Sequence, residues 1–350
     1  MAIKSIHILN VMVFQRQTDS FHLDFCDGIN VLIGENGVGK TTILKMIYAA
    51  TQWSFEKALL GETKGLQDFF SNNLKDSEAL KNADCKGGYC FYRVSNGEQS
   101  LECDLSHNVL INHGDWHGLN ISAVFIPTTE MLAHSKGFLA MNQKYNMPFD
   151  KTQVDIVVNA SLPETREISE SCQAMLEKIS EAIDGTVTQE DDVFYVIKKD
   201  GRKIEFSLEA EGLRKLGLLW KLIRNGLLEK GSVLLWDEPE ANLNPELYPL
   251  VVNILLALQK NGVQIFIATH SYNFAKYLEI RRSETSQVMF HNLYKGTSEL
   301  SSILGTAMGI KDSDYRMDDV YSASAYKMED LMPNHIMAAD NKLLDEVYDM

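Results

Sequence analysis

The sequence predicts a mixed α/β fold, in which a β sheet with a doubly wound parallel core is interrupted by an inserted helical lobe. Near the start of the chain, the apolar strand 29–33 leads through a glycine-rich turn into a helix at 41–52 with an apolar stripe. Residues 211–269 then alternate helix, strand, helix, strand, as parallel sheets require. Residues 131–185 have mostly helical spacing and form the predicted insertion.

The other elements have weaker patterns. The N-terminal half predicts strands within 2–11 and at 21–25, a helix at 65–81, strands at 88–94 and 99–104 around an Asn-Gly turn, and a buried strand at 124–126. The C-terminal half predicts two strands within 193–206, a helix at 211–228, a strand at 231–236, a helix at 246–260, a strand at 263–269 and an amphipathic helix at 335–348. We divide the chain into segments 1–130, 131–206, 207–285 and 286–350.

Length and composition limit the class of protein. A chain of 350 residues suggests one large domain or two smaller ones, and 45% hydrophobic with 23% charged residues is typical of folded proteins. The net charge of −15 argues against a broad basic surface, so nucleic-acid binding would need a local patch. The five cysteines, the missing leader pattern and the lack of a long apolar run predict a cytoplasmic chain that does not insert into membranes.

The most specific motif is GENGVGKT at residues 34–41, a complete phosphate loop between a strand and a helix. Glycines allow backbone N–H groups to turn toward phosphate oxygens, and the helix N-terminus favours negative charge. We expect Lys40 to neutralise the β- and γ-phosphates of ATP and the Thr41 hydroxyl to bind Mg²⁺. The alternative is a glycine turn followed by an unrelated lysine. The expected cofactor-binding residues of this segment are Asn36, Gly37, Val38, Gly39, Lys40, Thr41 and Thr42.

Two further strands end in residues suited to phosphoryl transfer. The strand 233–236 is followed by Asp237, which we expect to hold the Mg²⁺ water shell, and by Glu238, which we expect to polarise the attacking water. The strand 265–269 is followed by His270, which should lie at the same edge of the sheet and contact the γ-phosphate. The alternatives are solvated acids at a strand end and a structural histidine.

The order of these motifs identifies a resemblance. The phosphate loop, LLWDEPEANLNP at 234–245 and ATHS at 268–271 together resemble ABC-type ATPases of the AAA-family/overcoming-lysogenization-defect group, relatives of chromosome-condensation and recombination-repair ATPases. The resemblance covers about residues 1–280. It implies an ABC-type P-loop ATPase head with Asp237 as the Walker B acid, Glu238 as the catalytic base, 241–244 as the D-loop and His270 as the switch histidine. It also implies a homodimer that sandwiches two ATP molecules.

The segment SLEAEGLRK at 207–215 resembles a degenerate signature motif of this group. It departs from the transporter sequence Leu-Ser-Gly-Gly-Gln, and its serine falls one position early. The resemblance implies that Gly212 and Arg214 contact the nucleotide of the partner subunit. A solvated helix face is the alternative explanation for Arg214 and Lys215.

Three weaker patterns stay open. Thr129 or Glu130 follows the strand 124–126 and could couple metal binding to the helical lobe. The alternative is that both residues only form a turn. Cys85, Cys90 and Cys103, with His107, have a spacing compatible with zinc, although cysteine in strands is usually a small apolar residue. Asp312 and Asp314 suggest a nuclease metal site. Only 80 residues follow His270, however, which is short for an added nuclease domain.

The sequence therefore predicts an ATP-binding and ATP-hydrolysing switch with Mg²⁺ as cofactor. By resemblance, we expect it to dimerise on ATP and to regulate a separate protein effector, a nuclease or a toxin, in bacterial antiphage defence. The alternatives are a DNA-repair or DNA-organising ATPase and the ATPase subunit of a transporter. The acidic charge, the absence of sustained heptads between residues 50 and 210 and the unusual signature segment count against these alternatives.

Overall fold

The computed structural model describes residues 2–15, 20–55, 65–71, 73–85, 88–145, 147–296, 319–332 and 334–348. The strands are β1 Ser5–Leu9, β2 Phe21–Asp24, β3 Ile29–Gly34, β4 Phe91–Ser95, β5 Ser100–Asp104, β6 Val109–His113, β7 Ala123–Ile126, β8 Gly185–Glu190, β9 Val193–Lys198, β10 Lys203–Glu205, β11 Val233–Asp237, β12 Gln264–Thr269, β13 Val288–Lys295 and β14 Val320–Ala325. The helices are α1 Lys40–Gln52, α2 Phe138–Tyr145, α3 Lys151–Ala160, α4 Glu170–Ala182, α5 Glu211–Arg224, α6 Tyr248–Lys260, α7 Tyr272–Arg281 and α8 His335–Tyr348.

The central sheet has the order β14-β13-β3-β12-β11-β7 within the described chain. Strands β13, β3, β12, β11 and β7 are parallel, and β14 pairs with β13 in the antiparallel direction. Alternate residues of each central strand enter different apolar clusters: Val31 and Ile33 face one cluster, whereas Leu32 faces the other. Because both faces are covered, these strands are continuously apolar in sequence.

Two smaller sheets flank the central one. The order β2-β1-β4-β5-β6 forms an antiparallel sheet that shares an apolar cluster with α1, and β10-β9-β8 forms a second antiparallel sheet beside α4 and α5. Helices α2, α3 and α4 follow β7 in sequence, so a helical segment does separate β7 from β11, as the sequence predicts. The mixed α/β fold class with its parallel core is confirmed.

One predicted element is wrong. The predicted helix at 65–81 is two short 3-10 turns, Leu66–Phe69 and Ser77–Leu80. Polar side chains between the turns bond to local backbone: the Asp76 carboxylate accepts from the N–H of Glu78, and the Ser71 hydroxyl accepts from the N–H of Asn73. Such local bonds compete with helix continuation.

The sequence prediction also missed four strands, β6, β8, β13 and β14. Strand β6 is partly exposed along its length, and β8 contains a single buried large apolar residue, so neither has clear alternation. Strand β13 carries His291 and Asn292 in the core, which interrupt its apolar run. The two ring nitrogens of His291 are paired, 2.8 Å from Ser324 Oγ and 3.3 Å from Asn30 Oδ1. Burial lowers the pKa of His291 to about 3, so this histidine is neutral.

The C-terminal region confirms one prediction and leaves another outside the described residues. The predicted helix at 335–348 is α8. The suggested nuclease pair at 312–314 lies outside the described residues. Among the described helices, none combines the length and apolar character needed to cross a membrane.

Candidate nucleotide site

The loop between β3 and α1 is tightly packed on one side and open on the other. Gly34 has a φ of +144°, and a Cβ there would lie 2.2 Å from the carbonyl oxygen of Leu293. Gly39 has a φ of +94°, and a Cβ there would lie 2.5 Å from the Phe14 ring. A Cβ on Gly37, with a φ of +80°, would meet no described atom within 4 Å. Glycine is therefore required by close contacts at the base of the loop, whereas its tip is free to approach a phosphate chain.

Lys40 is the first residue of α1 and its side chain folds back over the loop. The ammonium Nζ donates to the carbonyl oxygens of Gly34, at 2.7 Å, and Glu35, at 2.8 Å. Burial lowers the pKa of Lys40, and the nearby carboxylates of Glu238 and Asp237 oppose that shift. A buried cation held over an open glycine loop is the arrangement that phosphate oxygens would complete.

Asp237 lies at the carboxyl end of β11, where two hydroxyl groups converge on it. Thr41 Oγ1 is 3.0 Å from Asp237 Oδ1, and Thr128 Oγ1 is 3.0 Å from Asp237 Oδ2. Burial raises the pKa of Asp237, and the two hydroxyl donors oppose the shift. This set of hard oxygen atoms beside the phosphate loop suits Mg²⁺, which prefers carboxylate, hydroxyl and phosphate oxygens with water. Sequence reasoning missed Thr128, which comes two residues after β7.

Glu238 and His270 meet at the ends of neighbouring parallel strands. The register pairs Asp237 with Ala268, so β11 and β12 end at the same edge of the sheet. His270 Nδ1 lies 3.1 Å from Glu238 Oε1 and 3.9 Å from Glu240 Oε1. Both side chains are partly exposed, so water can reach the Glu238 carboxylate. The predicted convergence of these groups at one sheet edge is present in the structure.

Glu240 is a third carboxylate that the sequence analysis did not select. It is 6% exposed, and its Oε1 accepts a hydrogen bond of 2.5 Å from Thr269 Oγ1. Its Oε2 is buried and has no hydrogen-bond partner among the described residues. Burial raises the pKa of Glu240. The available signal was the third acid in the run DEPE at 237–240.

The signature-like segment packs against the loop that follows β11. Gly212 is buried, and a Cβ there would lie 2.9 Å from the carbonyl oxygen of Asn242. Arg214 Nε lies 3.5 Å from Glu130 Oε2, and Glu130 also accepts from backbone N–H groups of the following turn. Contacts of Gly212 and Arg214 with a partner's nucleotide stay predictions. Lys215 is 2% exposed, so the solvated-face interpretation is wrong for this residue.

Three predicted residues of the phosphate-loop segment remain. Val38 and Thr42 pack against other parts of the protein, whereas Asn36 lines a cleft. Val38 is buried in the apolar cluster around α1, and Thr42 Oγ1 lies 3.8 Å from Met12 Sδ. Asn36 and His270 line an open cleft of about 440 Å³, whose other wall is formed by α8. Helix α8 therefore borders the phosphate loop, a position that no sequence pattern indicated.

The cysteines do not form a cluster. Cys85 Sγ and Cys90 Sγ are 3.3 Å apart, and Cys103 is buried in β5. His107 Nδ1 lies 2.7 Å from Asp104 Oδ2. Within the described residues, no group of three or more cysteine, histidine or acidic side chains is placed to hold a metal ion, so the zinc hypothesis has no support in this geometry.

Comparison with protein families gives two separate matches. Residues 140–275 match the model described as "AAA domain, putative AbiEii toxin, Type IV TA system", and residues 5–108 match a second AAA-domain model. The two matched regions lie on either side of β7 and contain the phosphate loop in one case and the β11 and β12 motifs in the other.

Solved structures support the same fold. The structure of an Smc head bound to the C-terminal winged-helix domain of ScpA aligns with a TM-score of 0.54 and 12% identity, covering 94% of this chain and 99% of that one. The Pyrococcus furiosus Smc head bound to the C-terminal domain of ScpA aligns with a TM-score of 0.52 and 9% identity, covering 99% of both chains. The chain has the fold of a P-loop ATPase head of the SMC/ABC type.

Curated relatives match over short regions. The arginine transport ATP-binding protein ArtP of Haemophilus influenzae is 44% identical over 54 residues, 15% of this chain and 22% of the relative. The L-cystine import ATP-binding protein TcyN of Bacillus subtilis is 30% identical over 97 residues, 23% of this chain and 38% of the relative. The match thus spans well under half of each relative.

Proposed function

We propose that this chain is an ATP-hydrolysing molecular switch whose two states differ in dimerisation. The observation that carries the proposal is the contact between Thr41 and Asp237, which are 196 residues apart and meet beside Lys40. Glu238 follows directly in the chain, at the open edge of the sheet. The placement of Lys40, Thr41, Asp237 and Glu238 beside one another supports a site for phosphoryl transfer to water.

The chemistry follows from the positions of these side chains. Lys40 and the N–H groups of the phosphate loop hold the triphosphate and stabilise charge on its oxygens. Thr41 and Asp237, supported by Thr128, would hold Mg²⁺, which neutralises charge on the β- and γ-phosphates when bound. The Glu238 carboxylate orients a water molecule and accepts its proton, while His270 steadies that carboxylate at 3.1 Å.

Dimerisation on ATP is proposed from the resemblance and from the open side of the loop. The tip of the loop at Gly37 has free space beside it, and the cleft at Asn36 is open to solvent. A second copy that covered this side would exclude water from the phosphates and strengthen their interactions with the loop. ATP would then favour the dimer, and hydrolysis would release it.

Phosphate release by the purified chain tests the enzymatic part of this proposal. Wild-type protein with ATP and Mg²⁺ should release phosphate, and Glu238→Gln should lower kcat by about 100-fold or more because the proton acceptor is lost. Glu246→Gln changes an exposed acid after the same strand and should leave kcat unchanged. The absence of phosphate release by the wild-type protein would contradict the proposal.

The controlled effector is proposed to be a separate protein, a nuclease or a toxin, in bacterial antiphage defence. The resemblance to the overcoming-lysogenization-defect group supports this idea, and the description "putative AbiEii toxin, Type IV TA system" of the family model that matches residues 140–275 is compatible with a role in a toxin system. The purified chain should then leave DNA and RNA intact in the presence of Mg²⁺ and ATP. Efficient cleavage of DNA or RNA by this chain alone would contradict a separate effector. We also expect that the genes beside the gene for this chain include one for a nuclease or a toxin.

A DNA-organising ATPase is the second candidate, since the fold matches Smc heads bound to a ScpA domain. That class is associated with long coiled-coil arms, whereas the longest helices in the described residues have 14 residues. The net charge of −15 also lacks the basic character that phosphate neutralisation favours. The transporter alternative rests on short matches only. Salt-dependent binding of duplex DNA would favour the DNA-organising candidate.

A further inference from the structure

The second buried lysine of the site region lies in helix α5. Lys215 is 2% exposed, and its Nζ donates to the carbonyl oxygens of Ala241, at 2.7 Å, and Glu238, at 3.2 Å. Both described hydrogen bonds thus go to backbone atoms of the loop that follows β11. No motif assigns this side chain a function.

A buried ammonium group carries a desolvation penalty that an apolar side chain in the same helix contact would avoid. Transferring a cation out of water is unfavourable unless its hydrogen bonds are satisfied, and neighbouring positions on the buried face of α5, such as Leu216 and Leu219, are apolar. An aliphatic side chain would pack there at lower cost. The lysine therefore supplies something that apolar packing does not, namely two directed hydrogen bonds to the loop.

The loop that Lys215 holds has an unusual backbone. Glu238 has a φ of +50° and Asn242 a φ of +58°, and this left-handed conformation is unfavourable for glutamate, whereas asparagine adopts it more readily. The carbonyl oxygen of Glu238 accepts from the Ala241 N–H at 3.1 Å as well as from Lys215. The backbone turn that aims the Glu238 carboxylate is therefore closed by one local bond and one bond from α5.

The same helix contacts the loop at two more points. Glu211 Oε1 accepts from Asn242 Nδ2 at 2.8 Å, and Gly212 approaches the Asn242 carbonyl so closely that a Cβ would have to displace it. The first turn of α5 and the ammonium of Lys215 thus hold both left-handed residues of the loop.

We propose that Lys215 is a positioning residue that holds the Glu238 backbone in the conformation required for hydrolysis. The inference rests on the proposed function, because it assigns Glu238 the role of proton acceptor. Lys215 acts through backbone atoms and does not contact the nucleotide. It also links the N-terminus of α5, the proposed partner-facing segment, to the carboxylate of its own subunit, so that movement of α5 would change hydrolysis.

The test separates kcat from ATP affinity in Lys215→Met, which keeps the length of the side chain and removes the donors. We expect kcat to fall by about 10- to 100-fold, because small displacements of a catalytic group have effects of this size, while the Kd for ATP stays within about threefold. Lys221→Met is the matched control, since Lys221 is also buried in α5 but pairs with Glu164 at 3.2 Å. Its kcat should equal that of the wild type.

Each outcome decides a different point. An unchanged kcat in Lys215→Met, or an equal loss in Lys221→Met, would overturn the positioning role, whereas a wild-type protein without hydrolysis would refute the proposed function instead. If Lys215→Met does not fold, Lys215→Gln keeps a polar side chain at this position but is too short to bond both carbonyl oxygens that Lys215 reaches. It should lower kcat at least about threefold with ATP affinity retained, and an unchanged kcat would overturn the proposal.

Discussion

Two buried lysines of this protein show how similar surroundings can serve different purposes. Lys40 and Lys215 are 7% and 2% exposed, and the pKa of each is lowered by burial. Each donates to two backbone carbonyl oxygens. The carbonyl partners of Lys40 belong to the glycine loop whose tip is open, whereas those of Lys215 belong to a closed turn. We therefore propose that Lys40 binds a ligand and that Lys215 holds the protein backbone.

The largest difference should appear in ATP binding. Lys40→Met removes the cation that faces the phosphates and should weaken ATP binding by at least about 100-fold, since hydrogen bonds between charged groups are among the strongest in proteins. An equilibrium titration with ATP and Mg²⁺ measures this change. Lys260→Met, which alters an exposed lysine at the end of α6, is the control. Unchanged affinity in Lys40→Met would remove the phosphate-loop assignment.

A smaller effect should separate the contribution of Thr128 to the proposed Mg²⁺ site from that of Thr41. Both hydroxyl groups bond to Asp237, but only Thr41 belongs to the phosphate loop. Thr128→Val removes one of the two hydroxyl donors to Asp237 and leaves Thr41 in place. The Mg²⁺ concentration for half-maximal hydrolysis should rise about 3- to 10-fold, the range expected for one hydrogen bond. Thr285→Val, at an exposed position, should have no effect. An unchanged Mg²⁺ requirement in Thr128→Val would show that Thr128 does not support the metal site.

The smallest effect concerns Glu240, whose carboxyl group acts electrostatically on both Lys40 and Lys215. Burial raises its pKa, so the folded state favours the protonated form, and stability is lost as pH rises through that pKa. The wild type should therefore lose stability between pH 5 and pH 8 relative to Glu240→Gln. The difference in free energy of unfolding, Glu240→Gln minus wild type, should increase by about 1 kcal/mol over this range.

Urea unfolding without nucleotide and with a chelator measures this difference. Glu238, His270, Tyr248 and Lys215 surround Glu240 and are present in both proteins, so the difference between the two proteins isolates the effect of the substituted group. Glu246→Gln, an exposed substitution, should show no pH-dependent gap. A stability difference between Glu240→Gln and the wild type that stays constant or narrows toward pH 8 would contradict the assignment of a buried carboxyl group with a raised pKa.

The comparison also shows what a sequence can predict. The phosphate loop, the acids after β11 and His270 after β12 follow from local patterns, because each is read from a strand and the residues directly after it. Thr128 and Lys215 lack such a pattern: their contacts with Asp237 and with the loop 238–241 join residues 109 and 23 to 26 positions apart, and depend on the register of the fold. Strand β13 was missed because buried His291 interrupts its apolar run, and the partners of His291, Ser324 and Asn30, are distant in the sequence.

The central claim is that ATP is held between two copies of this chain, and Glu238→Gln tests it most directly because bound ATP is retained. Light scattering after gel filtration should give twice the monomer mass of 39.5 kDa with ATP and Mg²⁺, and the monomer mass without nucleotide. A Glu238→Gln protein that binds ATP and keeps the monomer mass would contradict the account.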